Sequence, residues 1–181
     1  MTRFILSVIT AALMFSSCRN AGDNKALNPG AGTPAPGRLT IEKEKHYFKV
    51  TVSEPWQNSS GIKHVWYLVP RDSAMPAGIS EAQTIRIPVR RMICMSATHI
   101  AMMRALGAES LIAGISGSSL IYDSVVREGL HNGTIRDVGY EGNLNMELVV
   151  SLAPDLLMAY GVADPSTGNT SRLSETGVKV F

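Results

Sequence analysis

At Arg91 the hydrophobic period of this chain changes, and that change limits the folds open to it. Beyond it, short apolar runs alternate with helix-like segments. Met92-Ile93-Cys94-Met95 is continuously apolar, as in a strand buried on both faces. Ser96-Ala97-Thr98 reads as a turn. His99 to Leu106, apolar except for Arg104, reads as a well-buried helix closed by Gly107. Leu111 to Ser116 is the next strand, Ser124 to Glu128 a short helix ended near Gly129, and Ile135 to Gly139 a third strand. Asn145 suits the N-cap of a helix over Met146 to Leu152, whose Leu148, Val149 and Leu152 share one face. Pro154-Asp155 ends that helix, and Leu156 to Tyr160 is a fourth strand. Asp164 to Asn169 is a polar loop, Thr170 can cap a short helix to Thr176, and after Gly177 the residues Val178 to Phe181 begin a fifth strand. Strand and helix in alternation predict a parallel α/β sheet.

Upstream of Arg91 the period is two. Phe48 to Val52, His64 to Val69 and Thr84 to Val89 read as strands, with turn chemistry in Gln57-Asn58-Ser59-Ser60-Gly61. Pro88 cannot donate to a ladder, so it pushes the third strand to an edge. Residues 40–90 are therefore expected to form an N-terminal antiparallel sheet packed on an α/β lobe of residues 91–181.

The first residues have another logic. Met1-Thr2-Arg3 is positively charged, Phe4 to Phe15 is mostly apolar but too short to span a bilayer, and Ser16-Ser17 are small. Ahead of Cys18 this resembles a bacterial lipoprotein signal, with Phe15 where Leu is usual. Residues 1–17 then form the signal peptide and Cys18 the lipid attachment site. Residues 18–39, with Pro29, Pro34 and Pro36 among Gly, Ala and Asn, read as a flexible tether.

Composition removes several chemistries. Seventeen basic and fifteen acidic residues give +2, no long basic run occurs, and aromatics are 6%. Neither an electrostatic nor a stacking surface for nucleic acid is present. Cys18 and Cys94 are too few for a disulfide framework or a Cys-rich zinc site. His46, His64, His99 and His131 contain no i, i+4 pair and no His-x-His, so no metal site is expected. Cys94, inside an apolar strand, reads as an inert core thiol. Gly114 to Ser119 lacks the lysine of a P-loop and the spacing of a dinucleotide fingerprint, and no cofactor is expected. Ser96, between a strand and a helix with His99 near it, could serve an α/β hydrolase-like enzyme. The G-x-S-x-G elbow is missing, and no third orienting group is identifiable.

Open α/β sheets gather ligands at the carboxyl ends of their strands. That rule selects Ser96-Ala97-Thr98, Gly117-Ser118-Ser119, Tyr140-Glu141-Gly142-Asn143 and Tyr160-Gly161.

Arg91 to Gly107, Ile112-Ala113-Gly114-Ile115-Ser116 and Asp137-Val138-Gly139 carry a family resemblance. So, most specifically, does Asn145-Met146-Glu147-Leu148-Val149-Val150-Ser151-Leu152-Ala153-Pro154-Asp155-Leu156-Leu157. In this order they resemble the periplasmic-type binding lipoproteins of ABC importers for iron–siderophore and cobalamin uptake. The resemblance covers residues 91–181, and Val52 to Val89, with Glu54-Pro55-Trp56, looks like the extension that some members carry. It implies the N-terminal lobe of a two-lobe, helix-linked binding protein, with the second lobe absent from this chain, and no catalysis. It further implies a siderophore, haem or cobalamin ligand, and Ser96, Thr98, Tyr140, Glu141 and Tyr160 as its contacts. The two tyrosines have flat faces suited to a ring. Glu147 matches the glutamate by which such a lobe docks on its permease. Independently, it sits in a first helical turn, where the helix dipole favours its charge. The implied location is periplasmic or cell-surface, on a lipid anchor. The readings from other classes are the Ser96 enzyme and a surface-anchored binding lobe with no transport role.

Overall fold

Two meandering hairpin connections build the first sheet. β1 (Leu39–Lys43), β2 (Phe48–Ser53) and β3 (Lys63–Pro70) pair antiparallel, with Ile41 opposite Val50 and Val50 opposite Trp66. β4 (Thr84–Ile87) then pairs with β3 in parallel, Leu68 beside Ile85. The sheet is therefore mixed, not the antiparallel one expected. The cause is the connection: residues 71–83 are long enough for the crossover that a parallel pair requires. Arg86 holds that crossover, its guanidinium donating to the carbonyls of Pro70 and Ser73 at 3.1 and 2.8 Å. β4 is an edge strand, as Pro88 predicts.

The computed structural model describes residues 37–55, 59–140, 143–159 and 169–181. The signal segment, Cys18, most of the tether, Trp56, Glu141, Tyr160 and the loop from Asp164 lie outside them.

The second sheet is wholly parallel. β5 (Met92–Cys94), β6 (Ile112–Ile115), β7 (Arg136–Asp137) and β8 (Leu156–Met158) lie in the order β7-β6-β5-β8. Beyond β8, Leu157 bridges Val180 in parallel, so residues 178–181 continue the sheet as the sequence predicts. Four helices fill the crossovers: α1 (Ala97–Ala105), α2 (Ser124–Asn132), α3 (Met146–Ser151) and α4 (Asn169–Glu175).

Alternation along β5 sorts the core into two layers. Met92 and Cys94 pack with Ile100 and Met103 of α1 and Val126 of α2. Ile93 and Met95 face the other way, against Val149 of α3 and Leu173 of α4. Helices thus cover both faces, which is why every residue of β5 and β6 is buried.

Three local expectations change. The segment Ser96-Ala97-Thr98 is not a free turn: Ser96 is the N-cap of α1, accepting the His99 N–H at 3.2 Å. α1 is only half-buried, through His99, Ile100 and Met103, while Ala101, Met102, Ala105 and Leu106 are exposed, Leu106 by 77%. Met102 and Leu106 are as apolar as the buried side, but they have no packing partner among the described residues. Gly129 does not end α2, which runs on to Gly133 in the left-handed conformation. A Cβ at Gly129 would lie 2.6 Å from the Ile135 side chain, so this glycine serves packing.

Asp155 joins the two sheets. Its carboxylate accepts the N–H groups of Arg90 and Arg91 at 2.7 and 3.1 Å and pairs with the Arg71 guanidinium. Arg71 also donates to the Pro88 carbonyl at 2.9 Å. Burial pushes the Asp155 carboxyl up, but Arg71 and the two N–H groups outweigh it and hold it below the usual range.

Candidate functional site

The strand order reverses between β5 and β8. From β5 the chain winds one way, to β6 and β7; from β8 it winds the other way, to residues 178–181. In open α/β sheets such a reversal is where ligands gather, outside the carboxyl ends of the strands. Ser96 and Thr98 follow β5 at that switch point. Ser96 is half-buried with its hydroxyl engaged as the cap, and Thr98 is exposed in the first turn of α1. Tyr140 follows β7 on the same edge of the sheet and is 63% exposed. Glu141 and Tyr160 lie outside the described residues, so their relation to these three is not drawn.

His99 stands at the switch point and was not assigned a binding role from sequence. It is 9% exposed, its ring bonds the carbonyl of Met158, and its Nδ1 has no partner. The same carbonyl accepts the Met95 N–H at 3.0 Å. This backbone bond ties the ends of β5 and β8 together. Burial lowers its pKa, partly offset by that carbonyl, so the neutral ring is favoured. Cys94 beside it is fully buried, and burial pushes its thiol up to about 11, which keeps it inert.

Asp137 is a second residue that sequence reasoning passed over. It ends β7, and its carboxylate accepts the Ser118 N–H and the Gly139 N–H, both at 2.9 Å. Burial pushes its carboxyl up, but bonds from Ser118, Gly139 and Gly117 outweigh that and keep it ionised below the usual range. The signal available in sequence was the Asp two residues before a glycine, an Asx-turn pattern.

Glu147 is exposed in the first turn of α3, opposite the buried Val149, and Asn145 caps that helix by accepting the Leu148 N–H at 2.9 Å. Among the described residues no group of three or more His, Cys, Asp or Glu is placed to hold a metal ion. No helix among them is long and apolar enough to cross a membrane. One groove, of about 440 Å³, runs along α2 past Glu109 and Glu128, near the starts of β6 and β7 and away from the strand-end loops. Another, of about 290 Å³, opens beside Ser118 and Tyr122.

These features define a class: an open, doubly wound parallel α/β lobe with a topological switch point between β5 and β8 and a small mixed sheet on its N-terminal side. No family model matches the chain. An uncharacterized lipoprotein of Methanocaldococcus jannaschii is 29% identical over 101 residues, which cover 50% of this chain and 24% of that protein. Among solved structures, the periplasmic vitamin B12 binding protein BtuF of Vibrio cholerae is similar at 21% identity and a TM-score of 0.41. That match covers 52% of this chain and 34% of that one. A periplasmic heme binding protein from Pseudomonas aeruginosa is similar at 26% identity and a TM-score of 0.39, over 51% of this chain and 30% of that one. A periplasmic binding protein from Veillonella parvula is similar at 15% identity and a TM-score of 0.42, over 74% of this chain and 38% of that one. The chain thus spans about a quarter of the curated relative and roughly a third of the solved chains.

Proposed function

We infer that this chain is the solute-binding lobe of an extracytoplasmic binding protein that serves an ABC importer. Its solute is a haem, cobalamin or iron–siderophore complex. The reversal of strand order between β5 and β8 carries this reading, because open α/β sheets take their ligands at such a switch point, where Ser96 and Thr98 follow β5. The motif order from Arg91 to Leu157, quoted above, supports it from the side of sequence.

Ser96, Thr98, Tyr140, Glu141 and Tyr160 are the contacts this reading assigns, with the facing wall of the cleft supplied by a second lobe. Glu147 docks the lobe on the permease, where an exposed carboxylate at a helix N-terminus suits electrostatic steering. Cys18 carries the lipid that holds the protein outside the cytoplasmic membrane. Against the enzyme reading, the Ser96 hydroxyl accepts the His99 backbone N–H as the cap of α1, and burial lowers the basicity of the His99 ring.

Calorimetric titration with haemin, cyanocobalamin and a ferric hydroxamate tests the reading. Saturable binding of one probe is expected, weakened about tenfold by Tyr140→Ala, as for an aromatic anchor. Silence toward all three, in a chain extended to two lobes, overturns it. In cells carrying the complete protein, Glu147→Arg leaves solute affinity intact and lowers uptake; unchanged uptake removes the docking role.

A further inference from the structure

β7 is only two residues long, paired with β6 through Arg136 beside Gly114 and Asp137 beside Ile115. So short a ladder cannot by itself fix the loops that leave it. Something else sets their geometry, and the hydrogen bonds at the strand ends show what.

We propose that Asp137 is a positioning residue, whose carboxylate joins the loop after β6 to the turn after β7 so that both meet a solute as one preformed wall. The proposal rests on the solute-binding reading above and adds to it the residue that shapes the site.

One carboxylate oxygen serves each loop. Oδ2 takes the Ser118 N–H and Oδ1 takes the Gly139 N–H. The Gly117 N–H and the Ser118 hydroxyl also favour its ionised form. Gly117 is left-handed at φ 68°, which turns successive N–H groups toward one point, a concave anion-binding nest. Here the nest is filled by the protein's own carboxylate. The loop it anchors is closed by Leu120 N–H to the Gly117 carbonyl at 3.0 Å and plugged by the buried Ile121.

The turn on the other side is equally constrained. Gly139 has φ 84°, and a Cβ there would lie 2.3 Å from the Asn143 carbonyl oxygen, so the chain doubles back tightly on itself. The Asn143 N–H donates to the Tyr140 carbonyl at 2.8 Å, and the Asn145 N–H to the Val138 carbonyl at 2.9 Å. Tyr140 sits inside this closed turn with its ring in solvent. Fixing Gly139 therefore fixes the backbone from which Tyr140 projects relative to the loop at Ser118.

A wall already ordered before the solute arrives avoids the entropy loss of ordering it on binding. Asp137 acts through the two loops, because both its oxygens are taken up by backbone N–H groups.

The test uses the full 181-residue chain and Asp137→Asn, which keeps the shape but turns an N–H₂ group toward the loop donors. Amide hydrogen exchange at Ser118 and Gly139 is expected to quicken about tenfold, while Ile115 in β6 keeps its rate. The probe that the wild-type chain binds, among haemin, cyanocobalamin and the ferric hydroxamate, is expected to bind roughly tenfold more weakly, with the unfolding midpoint little changed. Unchanged exchange at Ser118 and Gly139 overturns the junction itself. Faster exchange with unchanged affinity overturns the positioning role. If neither this chain nor one extended by a second lobe binds any probe while the exchange result holds, the solute reading falls and the junction stands. Should Asp137→Asn fail to fold, the wild-type chain still decides. The amide protons of Ser118 and Gly139 must then titrate together on acidification with one carboxylate midpoint, and independent titration overturns the junction.

Discussion

The two sheets of this chain are built from similar residues but are held in different ways. The first has the longer strands and the more extensive ladders, yet most of its side chains are only half-buried. Val69 and Ile85 are its best-buried apolar residues, and Ile41 on β1 is 48% exposed. The second has strands of two to four residues, with few ladder bonds, and helices on both faces. Short strands suffice there because hydrophobic burial in two layers, not hydrogen bonding, holds them. The lesson is that ladder length and stability are separate quantities, and that the site sits on the sheet that is rigid for the second reason.

Core truncation should split the two most widely. Leu157 in β8 is 1% exposed and belongs to the layer under α3 and α4. Leu157→Ala should lower stability by about 3 kcal/mol, as a buried leucine loses its transfer energy and leaves a cavity. Ile41→Ala on the first sheet should shift it by less than about 0.5 kcal/mol. Urea unfolding midpoints measure both, and equal shifts would break the comparison.

Next comes the Asp155 junction, which belongs to neither sheet alone. Asp155→Ala removes the acceptor of two N–H groups and the partner of Arg71, about 2 kcal/mol for hydrogen bonds to a charged group. Because the folded carboxyl is held low, this contribution is complete above the ordinary value of 3.8 and is lost as pH falls through the lowered one. The wild-type chain should therefore lose stability in acid more steeply than the variant. Parallel acid curves would show that the two sheets do not depend on this link.

The alternation after Arg91 was legible because buried strands and capped helices leave local marks: Asn145 as a cap, Gly177 as a stop, the unbroken run at Met92. What was hidden is what depends on partners distant in sequence. Met102 and Leu106 of α1 are as apolar as its buried side, and composition could not show that they would lack a packing partner among the described residues. Gly129 carries the same letter as a helix stop but answers to Ile135. The direction of β4 depended on how residues 71–83 cross over. Ser96 and Tyr140 were placed at strand ends by topology alone, whereas Asp137 and His99 gain their roles from groups on other strands: Ser118 for one, Met158 for the other.

His99 gives the smallest and most selective test, because it probes the rigid sheet at its switch point. Protonation would put a charge on a ring that is almost fully buried, with Nδ1 lacking an acceptor. Burial therefore holds its folded pKa below the ordinary 6.5. Between those values the unfolded chain takes up a proton that the folded chain refuses. Stability from this group is whole above 6.5 and declines as pH falls below it toward the lowered value. His99→Gln keeps a donor for the Met158 carbonyl but cannot titrate, so its stability should stay level across that window while the wild-type curve slopes. Asp155 acts only below its ordinary 3.8, so the region just below 6.5 reads His99. Denaturant midpoints on either side of 6.5 read the difference. A wild-type curve as flat as that of the variant would mean that water reaches Nδ1 in the folded chain.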